Sequence, residues 1–380
     1  MTGAAKKTKG ISMNSGERMR ATYEFKPVDH MFRREFYIWS EAIERWRAEG
    51  LPDDYEETNF FNYDPPGMVD VGLDLGWCEP PFLPGYEDKV VRDEGKTEII
   101  QDVAGRWLRV FKGRRHGFMP DYIKHPVTCM RDWEEEVAPR LNPNDPDRYV
   151  ILAGACNHAA QQREAESLMV RQGMVGGYMY LRALMGPEDL LIGFCEQPEL
   201  IHAMMRRWAD VMNAGLEKIQ QHIDLDELAI GEDICYVKGL LISPDMVREF
   251  LLPYYQEVIG NARRRQSRKI YFNVDTDGWA EPAVPLYLEV GMDIMDPWEV
   301  ASGCDVVKAG VRWPDLVITG GIDKRVLAQG KDAIDEHLEY IIPAMRDRGG
   351  YVPTCDHGVP LDVSFENYLH YRRRICELDH

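Results

Sequence analysis

The chain has 380 residues, of which 44% are hydrophobic and 29% are charged, so it can bury a large core and is not globally disordered. Its 45 Lys and Arg residues against 64 Asp and Glu residues give a formal net charge of −19. This charge argues against nucleic acid or an anionic membrane as the main partner, because both are bound through cationic surfaces. The sequence has no secretory apolar segment at its start and no apolar run of ~20 residues, so we expect a cytoplasmic protein.

The N-terminal part of the chain has no regular alternation of strands and helices. Residues 1–20 are polar and basic and are predicted to form a tail, and the amphipathic segment 29–50 is predicted to be a helix. Residues 51–148 combine many prolines, glycines and aromatic residues with short strand-like pieces. We therefore expect one domain at 21–380, in which 21–149 contain an irregular or β-rich N-terminal elaboration and the first barrel elements.

From residue 150 onward, short apolar runs alternate with amphipathic segments. This alternation is typical of an α/β protein whose parallel sheet is built from βαβ units. No GxGxxG loop follows any apolar run, which favours a (β/α)8 TIM barrel over an open, doubly wound sheet. The predicted strands are 150–154, 228–231, 269–274, 293–295, 316–319 and 350–353, and the predicted helices are 187–222, 244–265, 324–348 and 364–378.

Acidic residues follow five of these predicted strands, at the point where each strand ends. In a parallel barrel these positions share one rim, where the catalytic loops lie. Acidic residues also cap helices, and Asp323 is expected to do that. Several carboxylates at one mouth repel one another unless a proton, a metal ion or a cationic substrate offsets their charge. The groups that follow the strands are Glu232 and Asp233, Asp275 and Asp277, Asp296 and Glu299, Asp323, and Asp356 with His357.

Several short motifs resemble the uroporphyrinogen decarboxylase superfamily. They are Glu232-Asp233, segment 238–244, Tyr254-Tyr255, Asp277-Gly278, segment 320–324, and segments 350–353, 356–364 and 366–368. The similarity extends from about residue 17 to the C-terminus. The resemblance implies a distorted (β/α)8 barrel. It also places the chain among the porphyrinogen decarboxylases and the corrinoid-dependent methyltransferases.

Within the superfamily, the sequence is more similar to the methyltransferase branch. The decarboxylases carry an arginine-rich RQAGRY stretch that binds the carboxylates of the tetrapyrrole, whereas residues 18–29 here read RMRATYEFKPVD. Acidic residues at the strand ends would also repel that polyanionic substrate. The expected function is therefore an O-demethylase component, which moves a methyl group from a methylated, methoxy-aromatic small molecule to a corrinoid protein.

The resemblance also suggests which residues form the site. In the methyltransferase branch a His-x-Cys pair and a later Cys bind zinc, and these positions fall here on Asp275, Asp277 and His357. These three are the candidate metal ligands, with zinc as the candidate ion. The expected catalytic residues are His357, Asp277 and Asp233, because the leaving oxygen of a methyl ether must be protonated or metal-bound. The residues expected to bind the substrate are Glu232, Glu299, Tyr178 and Trp279.

The corrinoid cofactor is expected on a separate partner protein, because the sequence contains no second, cobalamin-binding domain. The sequence leaves open whether the chain forms a homodimer. Two alternatives to methyl transfer also stay open at this point. One is a decarboxylase that acts on uroporphyrinogen or another small acid, and the other is a non-catalytic barrel that binds a small molecule.

Overall fold

The computed structural model describes residues 12–113 and 120–379. Its centre is a sheet of seven parallel strands that curls around a cavity, and the order of the strands in the sheet follows the order in the chain. The strands are β1 (Met68–Asp70), β2 (Met169–Val175), β3 (Glu227–Gly231), β4 (Tyr271–Asp275), β5 (Ile294–Asp296), β6 (Val317–Thr319) and β7 (Tyr351–Val352).

The two ends of this sheet, β1 and β7, do not pair with each other in the described part of the chain. The extended segment 31–38 lies near the β7 end. Ile38 forms a parallel bridge with Val359, and the Glu35 carboxylate accepts a hydrogen bond from the backbone N–H of Cys355 at 2.7 Å. The fold is therefore an α/β fold with a curled seven-stranded sheet, where the sequence predicts eight strands in a closed barrel.

The strands have apolar sequences because most of their side chains are buried. All five residues of β3 are buried, and in β4 the outward-facing Phe272 and Val274 belong to the main hydrophobic core beneath the helices. Parallel sheets are covered on both faces, so their strands are nearly continuous apolar sequences. Alternate residues of β4, Asn273 and Asp275, instead line the cavity.

The predicted strand at 150–154 is wrong. These residues lead into the helix Leu152–Glu166, whose buried residues Leu152, Cys156 and Ala159 lie at the spacing of one helix face. The sequence prediction missed β1 and β2. Strand β2 contains Arg171 and Gln172 among its apolar residues, and this weakens the apolar run that marks a buried strand.

The helices predicted after residue 187 are present, but three of them are divided. A proline in the first turn begins a new helix at several of the divisions, because its missing N–H is not needed there. No helix in the described ranges is long and apolar enough to cross a membrane. The helices are Gly177–Met185, Pro187–Glu196, Pro198–Gln220, Pro244–Phe250, Leu252–Arg265, Val284–Leu288, Val306–Arg312, Lys324–Leu327, Lys331–Arg348 and Phe365–Leu378.

The elaboration between β1 and β2 is rich in β-structure, as the sequence predicts. Four antiparallel strands form a separate sheet in chain order, and Ile100, Leu108 and Val110 give it a small core of its own. Its strands are Lys89–Asp93, Thr97–Gln101, Trp107–Phe111 and Asp121–Lys124.

The first fifty residues differ from the prediction in two ways. The tail predicted at 1–20 does not extend that far, because a helix spans Ser15–Tyr23 and buries one side of its surface; residues 1–11 lie outside the described residues. The helix predicted at 29–50 is shorter and spans Ser40–Glu49. The residues before it stay extended because Phe36 and Tyr37 turn toward the central cavity.

Candidate active site

The interior of the curled sheet is arranged in three levels, with a central cavity of about 470 Å³ above the lowest. The floor is an apolar cluster that includes Tyr271, Ile294, Val317 and Val352. Above it is a set of polar side chains that we call the middle layer: Arg171, Glu227, Asn273 and Asp296. At the carboxyl ends of the strands is the acidic rim, formed by Asp233, Asp275, Asp277 and His357.

Three carboxylates of the acidic rim converge. Asp275 is the last residue of β4, Asp277 follows it by two residues, and Asp233 follows β3 in a left-handed backbone conformation with φ 45°. One carboxylate oxygen from each lies within 4.8 Å of those of the other two. The single cation in contact with this group in the described chain is Arg182, whose Nη2 lies 3.3 Å from Asp233 Oδ2. The carboxylates that follow β3 and β4 therefore lie close together.

Crowding of these carboxyl groups changes their protonation. Burial, with the nearby charges of Asp233 and Glu299, raises the pKa of Asp277 to about 7. Burial also raises the pKa of Asp275 well above its usual value, and the neighbouring Asp296 adds to the effect. Like charges in a poorly solvated site disfavour ionisation. The rim is therefore ready to hold a proton or a cation at neutral pH.

His357 completes the rim. Its Nε2 lies 3.8 Å from Asp277 Oδ2, and its Nδ1 lies 3.2 Å from the Tyr37 hydroxyl. The ring packs against the rings of Phe36 and Tyr37 at centroid distances of 5.5 and 5.4 Å. Burial and the charge of Lys324 lower the pKa of His357, so the imidazole is neutral at neutral pH. The structure thus brings two of the three predicted catalytic residues, Asp277 and His357, next to each other, and the third, Asp233, lines the same cavity.

Glu299 stands behind the rim and does not line the central cavity. Its carboxylate accepts hydrogen bonds from the backbone N–H of Gly278 at 3.0 Å and from the hydroxyl of Ser302 at 2.9 Å. Lys324 lies between it and the buried Asp356, with Nζ–oxygen distances of 3.7 and 3.9 Å. Glu299 therefore fixes the loop after β4 and acts on Asp277 through its charge.

Glu232 is predicted to bind substrate, but it is fully buried on the other side of the strand end. It accepts hydrogen bonds from the hydroxyls of Tyr255, at 2.7 Å, and Tyr287, and from the backbone N–H of Tyr178. Burial raises the pKa of Glu232 to about 8. Both residues follow the end of β3 at Gly231, where Asp233 turns toward the cavity and Glu232 turns into the core.

The predicted aromatic contacts are also not in the cavity. Tyr178 is 1% exposed within its helix, and Trp279 is exposed beside Gly239, outside the lining. The aromatic residues that do line the cavity are Tyr23, Phe36, Tyr37 and Trp77. They come from parts of the chain where the sequence has no motif. By contrast, Asp323 caps the helix Lys324–Leu327 by accepting a hydrogen bond from Arg325 N, as predicted.

Sequence reasoning also missed one thiol and three residues of the middle layer, Arg171, Glu227 and Asn273. Asn273 and Arg171 interrupt otherwise apolar strands, and that interruption is the signal that could have identified them. Cys78 lines the cavity after β1. Burial raises the pKa of the Cys78 thiol to about 11, so it stays protonated at neutral pH.

The rim can be compared with the needs of a metal ion. Asp233, Asp275 and Asp277 offer oxygen atoms alone, and His357 Nε2 stands next to Asp277. Oxygen donors of this kind suit hard divalent cations such as Mg²⁺ or Mn²⁺, and zinc also accepts a mixed oxygen and nitrogen set. The residues therefore fit a divalent ion, but they do not provide the thiolates of a thiol-activating zinc site.

The fold and the rim define an α/β protein whose site lies at the carboxyl ends of parallel strands, as in barrel enzymes. The family model for uroporphyrinogen decarboxylase (URO-D) matches residues 116–375. This match covers more than half of the chain, and the chain belongs to the URO-D family.

Relatives of known name agree with this family. The uroporphyrinogen decarboxylase of Psychromonas ingrahamii is 23% identical over 64% of this chain and 68% of its own length. That of Geobacter metallireducens is 27% identical over 46% of this chain and 48% of its own length. Among solved structures, a methyltransferase from Methanosarcina mazei aligns over 96% of this chain and 99% of its own, with a TM-score of 0.56 and 13% identity. That structural similarity supports the same fold.

Proposed function

We propose that the chain is a corrinoid-dependent methyltransferase that takes a methyl group from a methoxy-aromatic small molecule. The observation that carries this proposal is the placement of Asp277 and His357 together at the mouth of a cavity with aromatic walls. The corrinoid, held by a separate partner protein, supplies the nucleophilic cobalt that accepts the methyl group. We also propose that segment 31–38 completes the wall of a (β/α)8 barrel around this cavity.

In such a reaction the C–O bond of the methyl ether breaks and its electron pair stays on the oxygen. Phenoxide leaves more easily when the oxygen receives a proton. Asp277 is the better proton donor of the rim, because its raised pKa keeps part of the carboxyl protonated near pH 7. Neutral His357, between Asp277 and Tyr37, is placed to return a proton to that carboxyl.

A divalent ion would alternatively be held by Asp233, Asp275 and Asp277, where it would supply Lewis-acid polarisation of the ether oxygen. The described residues then keep their other tasks. Tyr37 and Phe36 hold the His357 ring, and Arg182 holds Asp233 in place.

The mouth of the cavity suits the approach of a partner protein. Tyr37 and Trp77 line the cavity and are also 43% and 36% exposed. Aromatic side chains that combine exposure with a large apolar surface are common at protein interfaces. They support the proposal that a corrinoid-carrying protein docks at this rim.

Decarboxylation is the second candidate, because relatives such as the Psychromonas protein are named uroporphyrinogen decarboxylases. The charge of the cavity opposes this activity. Five carboxylates line it, from Glu227, Asp233, Asp275, Asp277 and Asp296, against the two cations Arg34 and Arg171. A substrate with many carboxylates would be repelled by this lining.

One experiment separates the two candidates. The purified protein is incubated with a reduced corrinoid protein and a panel of methoxy-aromatic compounds, and the demethylated phenol is measured by chromatography. We expect phenol to form only when both proteins are present. A parallel incubation with uroporphyrinogen measures carbon dioxide. Release of carbon dioxide without any corrinoid protein, together with no phenol, would establish decarboxylation instead.

A further inference from the structure

The middle layer is held by an incomplete set of hydrogen bonds. The hydroxyl of Tyr23 donates to Glu227 Oε2 at 2.7 Å, and Arg171 Nε lies 3.4 Å from Glu227 Oε1. Asn273 Nδ2 donates, at long distances of 3.4 and 3.5 Å, to Glu227 Oε1 and Asp296 Oδ2. The layer thus contains acceptors that are not fully hydrogen-bonded, beside one buried donor, Arg171 Nε, that has an ion-pair contact but no hydrogen bond within the described residues.

Two acceptor oxygens in this layer have no partner in the described chain. They are Asn273 Oδ1 and Asp296 Oδ1. Both side chains are more than nine-tenths buried, at 6% and 7% exposure, and both line the central cavity. Buried polar atoms in proteins are nearly always hydrogen-bonded. These two oxygens therefore point to a ligand that donates hydrogen bonds.

The charges around the cavity indicate the sign of that ligand. Arg171 is in contact with Glu227, and Asp233 is in contact with Arg182. The remaining carboxyl groups in the lining are Asp275, Asp277 and Asp296, and Arg34 is the remaining cation among the lining residues. Because carboxyl groups so close together disfavour further negative charge, an anionic ligand adds to their repulsion and a cationic ligand reduces it.

A metal ion on the rim does not account for the free oxygens. The metal-sized group of acidic residues in the described chain consists of Asp233, Asp275 and Asp277 and does not include Asp296. Asn273 precedes Asp275 by two residues on β4, which is a distance of about 6.6 Å along a strand. Asn273 Oδ1 thus belongs to a level one such step deeper than the rim, whereas Asp296 pairs in register with Asp275 and also contacts Asn273 through its Oδ2.

We infer that the substrate carries an ammonium group, which binds Asn273 Oδ1 and Asp296 Oδ1 in the middle layer. This inference rests on the proposed methyl transfer and narrows its substrate to a methoxylated aromatic amine. The spacing along β4 then lets one aromatic ring extend from the middle layer to the rim. Its ring packs near Tyr37 and Trp77, and the methoxy group lies beside Asp277.

The test uses the intact protein and three probes that share one ring and differ in charge. They are 2-(3-methoxyphenyl)ethylamine, 2-(3-methoxyphenyl)ethanol and 3-methoxyphenylacetate. Binding is measured by titration calorimetry in the presence of a chelator and without corrinoid protein. We expect the amine to bind at least tenfold more tightly than the alcohol and the acetate to bind least. Equal affinity for the three probes, or the tightest binding for the acetate, would overturn the inference.

Variants locate the binding position. Asp296→Asn keeps the size of the side chain and removes its charge, so we expect at least a tenfold loss of amine affinity and little change for the alcohol. The matched control is Asp245→Asn, whose side chain is 97% exposed and which should bind the amine as the parent does. Asn273→Leu, which removes the other acceptor, should weaken the amine as well. Unchanged amine binding in a folded Asp296→Asn or Asn273→Leu protein would contradict the assignment.

Further measurements separate this inference from the proposed function and from a metal site. Tight amine binding without any methyl transfer would retain the inference and contradict the methyltransferase. Methyl transfer from neutral methoxy-aromatic compounds with no preference for the amine would support the methyltransferase and contradict the inference. Titration with Mg²⁺ or Zn²⁺ alone is the third measurement. One-for-one displacement of the amine by the metal would assign the acceptors to the metal and overturn the inference.

Discussion

Carboxyl groups at the two ends of the parallel sheet have pKa values shifted in opposite directions. At the amino end of β3, Asp226 is fully buried and in contact with Arg20 at 2.8 Å, Arg163 at 2.5 Å and Arg268 at 3.3 Å. Burial alone would raise the pKa of Asp226, but the hydrogen bond from Arg20 and the other contacts lower it overall. At the carboxyl end, Arg182 contacts Asp233, but no Lys or Arg of the described chain forms an ion pair with Asp275 or Asp277, and the pKa of Asp277 is raised.

The amino and carboxyl ends of the same strands therefore differ in how their buried charges are balanced. In the buried network at Asp226 each charge has a partner, and removal of one member would leave uncompensated charges that destabilise the fold. Like charges left unbalanced are costly for the fold, and they are typical of sites where a ligand supplies the missing partner. In barrels, catalytic residues are found at the carboxyl end and stabilising contacts at the amino end. In the present structure Asp226 with its arginines lies at the amino end, and the candidate site lies at the carboxyl end.

Removal of the amino-end carboxylate should have the largest effect. Asp226→Ala leaves three arginines crowded together without a counter-charge, so we expect the free energy of unfolding to fall by about 3–5 kcal/mol. Urea denaturation followed by circular dichroism measures this change. Asp245→Asn, at an exposed carboxylate, is the control and should leave stability unchanged. A loss below 1 kcal/mol in the Asp226 variant would contradict the role given to this network.

At the carboxyl end of β3, the buried Glu232 should lower the free energy of unfolding at alkaline pH. The pKa of Glu232 is about 8 in the folded protein because of burial, and an unfolded glutamate has a pKa of about 4.3. Its contribution is therefore complete below about pH 4.3 and is lost as the pH rises through about 8, a change of at most about 5 kcal/mol. Urea denaturation from pH 4 to 9 should show a smaller loss in Glu232→Gln than in the parent. Parallel curves for the two proteins would refute the assignment.

Substitutions in the rim should affect turnover and leave the fold intact. We expect His357→Ala to reduce methyl transfer by roughly 100-fold, the usual scale for loss of a proton-transfer group, with little change in melting temperature. Asp277→Asn and Asp233→Asn test the other two predicted catalytic residues in the same assay. Unfolding of the His357 variant, or full activity, would return this residue to a structural role.

A helix cap at the same end should have the smallest effect. Asp323 accepts a hydrogen bond from Arg325 N at 2.9 Å, and it also pairs with the Arg325 side chain. Asp323→Ala should therefore cost about 1 kcal/mol of stability and leave methyl transfer within a factor of two. Asp323→Asn retains the cap and serves as the control. A large loss of turnover in Asp323→Ala would place this residue in the site.

The sequence predicted the parts of this structure that depend on local pattern. The alternation of apolar runs and helices predicts β3 to β7, and the acidic residues after them predict the meeting of Asp233, Asp275 and Asp277. Glu232 was placed wrongly because a strand end shows that a residue is near the rim, but not which face it takes. One step along the chain decides between the cavity and the core.

Other features depend on contacts between distant parts of the chain. Tyr23 and Phe36 reach the cavity from segments before the first strand, and no spacing in the sequence predicts such an approach. Burial also decides the protonation of the rim, because it withdraws solvent from Asp277 and Asp275. The sequence gives the identity of these acids but not their degree of burial.

Segment 31–38 contributes residues to the cavity wall and can therefore change during evolution of the ligand site. It is tied to the sheet region through backbone hydrogen bonds of Tyr37 and Trp39 with Val359 and through Glu35. Arg34 and Tyr37 line the cavity but are not part of the seven-stranded sheet. Substitutions there can alter ligand preference without disturbing strand pairing. The segment therefore offers a descendant protein a place to acquire a new substrate while it inherits the scaffold unchanged.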